Sequence, residues 1–122
     1  MVNFGARGSV PERFSGRKFH VHNASVTLMR TTAEENAAIG AWIVERLNRM
    51  RGPVRFLLPL GGISAIDAPG QPFHDRDADE ALFDAIRRGW KSAGNRQLIE
   101  LDDHINSQAF AAAAASAFKE IM

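Results

Sequence analysis

Along the chain, apolar positions switch between short continuous runs and a spacing of three to four residues. That alternation predicts strand, helix, strand, helix, strand, helix. Met1 to Phe4 is apolar and begins abruptly, as a strand entered partway would, and residues 5–17 (GARGSVPERFSGR) are loop-like, with three glycines and a proline. Lys18 to His22 and Ser25 to Met29 read as strand, split at Asn23 into two strands or one with a bulge. Thr32 with Glu35 forms a capping-box signal. Ile39, Trp42, Ile43, Leu47 and Met50 then recur at helical spacing, predicting a core-facing stripe that Gly52-Pro53 terminates. Val54 to Leu58 reads as a buried strand. Asp77 with Glu80 signals a second helix start, and Leu82, Ala85, Ile86 and Trp90 mark an amphipathic helix fading at Gly94-Asn95. Gln97 to Leu101 is the next strand. Asn106 or Ser107 caps a last helix with Phe110, Ala113, Ala114, Ala117, Phe118 and Ile121 on its buried face, and the alanines at 111–115 are strong helix formers.

This order implies right-handed crossovers in a small, mostly parallel sheet with helices on its faces, a three-layer Rossmann-like α/β domain over residues 1–122. Three strands are few for such a sheet. The abrupt start suggests a piece of something larger, or a subunit that needs a partner. In a parallel sheet the C-terminal strand ends share one edge, where each following helix presents its N-terminus. Three polar segments then meet there: Arg30-Thr31-Thr32, Gly61 to Asp75, and Asp102 to Asn106. Helix N-termini with unpaired N–H groups suit phosphate or carboxylate. Arg30, Thr31, Gly61, Gly62, Ser64, Asp67 and Asn106 are the ligand-binding candidates; His74, Asp75 and His104 are the acid–base candidates.

Structural roles compete for most of these positions. Thr31 and Thr32 suit helix capping. Gly61-Gly62 lacks the spacing and the lysine of a phosphate-binding loop, and a turn needing positive φ explains it equally well. Pro69-Gly70 is a turn signal, Pro72 stiffens the same loop, and Asp77 reads as a cap. Ser64 is not in a nucleophile elbow, because Gly62-Ile63-Ser64-Ala65-Ile66 lacks the second glycine. His20 and His22 share a strand face but lack a third ligand, so no metal site is expected. Trp42 and Trp90 read as core packing.

Composition narrows the classes. With 122 residues, 45% of them hydrophobic, the chain suits one domain with a real core. Fifteen basic and fourteen acidic residues give no bulk charge for nucleic acid. The absence of cysteine excludes disulfides, a thiolate nucleophile and Cys-based zinc sites. No apolar run spans a bilayer and the N-terminus lacks a signal-peptide apolar region, so a soluble, cytoplasmic protein is expected.

Several segments carry a resemblance over nearly the whole chain: MVNFG at the start, VHN (21–23), VTLMRTT (26–32), EEN (34–36), GPVRFLLPLGGISAIDAPGQPFHD (52–75), DADEALFDAI (77–86) and HIN (104–106). Together they resemble the C-terminal portion of the UPF0261 family, also called Tm-1-like ATP-binding proteins. The resemblance implies half of a two-domain protein whose N-terminal α/β domain, the one chiefly associated with the ATP-binding label, is not in this chain. It implies ATP with Mg as the cofactor, that missing N-terminal domain as a partner, and Gly61, Gly62, Ser64 and Asp67 as this half's contacts to a ligand between domains. Apolar surface left by a missing domain would favour a homo-oligomer. The family's plant member confers tobamovirus resistance, and no residue here transfers that role. Three functions compete: a ligand-binding module completing a nucleotide or small phosphorylated-ligand site; an enzyme acting on a small anionic metabolite through His74, His104, Asp67 or Asp75; and a dimerisation or protein-interaction domain whose polar edge is a capped sheet end.

Overall fold

Between the second and third strands only a tight turn is available, and it decides how the first strands pair. In the computed structural model, which describes residues 1–122, the Asn23 side-chain carbonyl accepts a hydrogen bond from the Ser25 amide at 2.9 Å. This side-chain turn folds β2 (Phe19–Asn23) back on β3 (Val26–Met29) as an antiparallel hairpin, with the register shifting between Val21 and Asn23. The segment split at Asn23 is therefore two strands. On the other side of β3 lies β1 (Val2–Phe4), also antiparallel, with Val2 opposite Met29. Residues 1–32 form one compact unit around this three-stranded sheet and residues 33–122 form a second. In the first unit Thr27 and Met29 are buried at alternate positions of the central strand, the Phe4 and Phe14 rings lie 5.7 Å apart, and the Arg7 guanidinium sits 4.2 Å above the Phe19 ring.

The second unit carries the only parallel pairing. Strand β4 (Val54–Pro59) runs beside β5 (Arg96–Leu101) in unbroken register from Val54 opposite Arg96 to Pro59 opposite Leu101. The single mostly parallel sheet expected from the element order is therefore replaced by two sheets: both edges of β3 are already taken by antiparallel neighbours, so no edge remains for β4. The fold is a small α/β domain with three helices, α1 (Ala33–Arg49), α2 (Arg76–Gly89) and α3 (Gln108–Lys119). Its core joins Val44 of α1, Phe83 and Ile86 of α2 and Leu58 of β4, with Phe56, Leu82, Trp90 and Leu98 packed around them. Phe56 and Leu58 share one face of the strand. The intervening side is marked by Arg55, whose guanidinium lies 3.4 Å from the Glu120 carboxylate just past α3.

Helix α1 is rotated from the orientation its apolar spacing predicts. Its buried residues are Asn36, Gly40 and Val44, whereas Ile39 is 41% exposed and Trp42 58% exposed. Backbone proximity explains the choice. A Cβ at Gly40 would lie 2.6 Å from the Leu82 carbonyl oxygen, and one at Gly89 would overlap Val44 Cγ1, so the two helices meet where side chains are absent. Buried Asn36 donates to the Ala78 carbonyl at 2.7 Å, and Asn48 donates to the Gly89 carbonyl at 2.8 Å, securing both ends of the contact. Trp42 is covered instead by its own neighbour, the Arg46 guanidinium 3.7 Å above the ring. Phe118, expected on the buried face of α3, is also exposed, while Phe110 and Ala117 are buried as expected. The second helix ends at Gly89, before the expected Gly94-Asn95, because Trp90 turns extended with its amide still bonded to the Ile86 carbonyl.

Arg87 pins α2 to the sheet by meeting Glu100 of β5 at 2.7 Å, together with Glu80 and Asp84 of its own helix. The hydrogen bond to Glu100 chiefly raises its pKa above the ordinary guanidinium value; partial burial opposes this, and bonds to Glu80 and Asp84 reinforce it. None of the helices is long and apolar enough to cross a membrane.

The rotated interface sets a clear expectation. Gly40→Val should destabilise the chain by about 1–3 kcal/mol through overpacking, whereas Trp42→Ala should cost less than about 1 kcal/mol. Urea unfolding of both variants measures the difference. A larger loss for Trp42→Ala would place the core on the other face of α1.

Candidate functional site

Where the parallel strands end, two connections are laced together backbone to backbone. The Leu60 amide donates to the Leu101 carbonyl at 2.8 Å, Gly61 to Asp103 at 3.2 Å, and Ile105 back to Gly62 at 3.0 Å. The chains approach so closely that a Cβ at position 61 would stand 2.7 Å from the Asp103 carbonyl carbon and the His104 nitrogen. Gly62 has φ +132°, a conformation L side chains rarely adopt, and a Cβ there would lie 3.1 Å from the Asp67 backbone. The glycine pair is thus required by loop packing at its first position and by backbone conformation at its second.

The loop beyond it is held by the side chains expected to bind a ligand. Ser64 caps a 3-10 turn at Ala65–Asp67, its hydroxyl accepting from the Ile66 amide at 3.4 Å. Asp67 is fully buried, and its carboxylate accepts from the Ile63 amide at 2.8 Å. Asn106 reaches across from the other connection, its side-chain carbonyl accepting from the Ala65 amide at 2.9 Å. Phe73, also fully buried, anchors the return of the loop by donating its backbone N–H to the Ile66 carbonyl at 2.8 Å. Ser64, Asp67 and Asn106 therefore have structural work at the sheet edge.

Arg30 and Thr31 belong to the other unit. Both are buried. The Arg30 amide donates to the Lys18 carbonyl at 2.9 Å, Arg17 donates to the Arg30 carbonyl at 2.8 Å, and the N-terminal ammonium donates to the Thr31 hydroxyl at 3.3 Å. The shared sheet edge that was to bring them to the 61–75 loop does not form, because β3 and β4 lie in separate sheets.

The acid–base candidates all lie in the second unit but have different surroundings. Asp75 is the N-cap of α2, accepting from the Ala78 amide at 3.0 Å; Asp77 and Glu80 lie within the helix, so the cap falls two residues before the one expected. Ser107 caps α3 by accepting from the Phe110 amide at 2.9 Å, which settles the choice between it and Asn106. His104 has a buried ring Nδ1 without a hydrogen bond and takes no part in the cavity described next. His74 differs. Its Nδ1–H donates to the Asp67 carbonyl at 3.0 Å. A carbonyl can only accept, so a neutral ring carries its hydrogen on Nδ1 and keeps Nε2 as an acceptor.

His74 lines a cavity of about 220 Å³ at this end of the sheet, with Gly61, Arg76, Asp79, Glu80 and Asp102 contributing the other polar walls. Leu60 and Phe83 supply its apolar floor. Arg76, Asp79, Glu80 and Phe83 follow the i, i+3, i+4, i+7 spacing of one helix face, a signal present in the sequence after the cap. Glu80 is engaged by Arg87 at 3.2 Å, and Asp79 is 5% exposed. The Arg76 guanidinium and the Asp102 carboxylate form no hydrogen bond or ion pair within the chain. No group of three or more His, Asp or Glu side chains is arranged to hold a metal ion; His20 and His22 stand with ring centroids 6.4 Å apart on β2.

Residues 1–122 match the model of the C-terminal domain of Uncharacterised protein family UPF0261. The chain is 53% identical over 116 residues to a UPF0261 protein of Mesorhizobium japonicum, covering 95% of this chain and 29% of that protein. It is 43% identical over 122 residues to a UPF0261 protein of Clostridium tetani, covering 100% of this chain and 30% of the relative. The ToMV resistance protein Tm-1(GCR237) of Solanum lycopersicum is 41% identical over 121 residues, 99% of this chain and 16% of that protein. The chain thus spans less than a third of the length of these relatives.

The lacing between the two connections is directly measurable. Asn106→Ala should speed hydrogen exchange at the Ala65 amide by roughly fivefold, the equivalent of about 1 kcal/mol for one lost hydrogen bond, with exchange in α1 unchanged. Unaltered Ala65 protection would remove Asn106 from the support of the loop.

Proposed function

This chain belongs to the UPF0261 family, as its C-terminal domain, and on that footing we propose that it is a ligand-binding module contributing to a site for a nucleotide or small phosphorylated ligand. The observation that carries this is the cavity at the C-terminal ends of the parallel strands, with the unpaired Arg76 at the first position of α2. Crevices of this kind are where open α/β sheets receive ligands. A guanidinium beside a helix N-terminus suits an anionic group. ATP with Mg is the cofactor implied by the family resemblance. A cavity of about 220 Å³ accommodates part of such a molecule, and Mg would travel with the phosphates, for which Asp102 is an available carboxylate. The remaining contacts would come from the length of the relatives beyond this domain. That same length would complete a Rossmann-like three-layer sheet, since the outer edges of β4 and β5 carry no strand partner.

A second role as an interaction or dimerisation domain is favoured by a different observation, the exposed Ile39 and Trp42 of α1 together with Phe118 of α3. The enzymatic alternative rests on His74, which lines the cavity and whose neutral ring keeps Nε2 as an acceptor.

Titration of Mg·ATP, ADP and inorganic phosphate into isotope-labelled protein should shift the amides of Gly61, Gly62, His74 to Glu80 and Asp102. Arg76→Gln should weaken the binding by roughly tenfold or more, the scale of a charge-assisted hydrogen bond. Undiminished affinity in that variant would sink the proposal. Arg76 is a better probe than Gly62, where any side chain would strain the backbone.

A further inference from the structure

The lining of the same cavity narrows what it can hold. We infer that its ligand is a small anion that also carries hydrogen-bond donors, hydroxyl or ammonium, close to the anionic group. This rests on the proposal that the cavity binds a ligand, and adds the ligand's class.

The walls are unequal in chemistry. One cation, Arg76, faces three carboxylates, Asp79, Glu80 and Asp102, and the imidazole of His74. Glu80 is compensated by Arg87, while Asp102 makes no hydrogen bond or ion pair within the chain. A carboxylate accepts hydrogen bonds and repels phosphate, and the bond from His74 Nδ1–H to the Asp67 carbonyl leaves the neutral ring only an acceptor at Nε2. A bare phosphate would satisfy Arg76 and meet unfavourable charge on the remaining polar walls. A molecule with one anionic end and adjacent donors answers both. Size points the same way: about 220 Å³ falls below the roughly 300–1,000 Å³ of sites that enclose drug-sized ligands. The whole complement of polar partners must therefore be met by a few atoms. Arg76 would take the anion and Asp102 and His74 Nε2 the donors, so discrimination between small anions resides in the acceptors.

Three probes of similar size separate the possibilities by calorimetry or amide-shift titration on the 122-residue chain. Propyl phosphate carries the anion alone, glycerol 3-phosphate adds hydroxyls, and phosphoethanolamine adds an ammonium. At least one donor-bearing probe should bind roughly tenfold or more tightly than propyl phosphate, the scale of one hydrogen bond to a charged group. Which of the two binds more tightly identifies the donor as hydroxyl or ammonium. Asp102→Ala should reduce that preference at least severalfold, with propyl phosphate bound at least as tightly because a repelling carboxylate is gone, and with the melting temperature unchanged because the Asp102 side chain is exposed and supports no other group. Equal affinities for all three probes would overturn this inference and leave the phosphorylated-ligand proposal standing. An undiminished preference in Asp102→Ala would also overturn it. No binding of any probe or of inorganic phosphate would overturn both.

Discussion

The close approach of two backbones at Gly61 is the constraint on which the candidate site depends. Nothing larger than a hydrogen atom fits between position 61 and the Asp103–His104 peptide. Parallel pairing can therefore continue past β4 into bonds from Leu60 to Leu101 and from Gly61 to Asp103. Those bonds hold the two connections together at one end of the sheet. Asn106 then reaches the Ala65 amide, the loop returns through buried Phe73, and Asp67 is fixed where its carbonyl receives His74 Nδ1–H. The orientation of the imidazole is several steps removed from the glycine, yet each step is a named hydrogen bond.

The same economy of side chains governs α1 against α2. Gly40 and Gly89 allow close contact, and the amides of Asn36 and Asn48 satisfy carbonyls that this contact shelters from water. Close packing of small residues gains dispersion contacts and fixes the crossing, and it turns Trp42 and Ile39 outward. A spacing of large apolar residues identifies a helix face that avoids water. It does not identify which part of a broad apolar arc is taken by the neighbour. Here the arc is shared, with Val44 in the core and Ile43 and Leu47 half-buried beside it.

Helices were the most legible part of the chain. Thr32, Asp75 and Ser107 stand immediately before α1, α2 and α3, and the apolar residues that follow recur at 3.6-residue spacing. The cap of α2 is ambiguous in the sequence because Asp77 and Glu80 repeat, inside the first turn, the spacing that Asp75 and Ala78 use in the structure. The strands were legible as strands, but their partners were not. Pairing direction followed from the turn at Asn23–Ser25 and from the occupancy of both edges of β3, and neither follows from the strands' own residues. The site was half visible. The topology of an α/β sheet edge pointed to the loops at 61–75 and 102–106, which do meet, while Ser64, Asp67 and Asn106 hold those loops and Arg76 with Asp102 line the cavity.

By itself the sequence determined the local order of strands and helices and which glycines interrupt the chain, because each depends on residues within a turn or two of one another. Only the tertiary structure decided that β1 to β3 form their own sheet, that α1 presents Gly40 rather than Trp42 to α2, and that Arg76 and Asp102 line one cavity. Those outcomes depend on backbone distances between residues tens of positions apart. No local periodicity encodes such distances; they arise when competing faces and edges must be satisfied together.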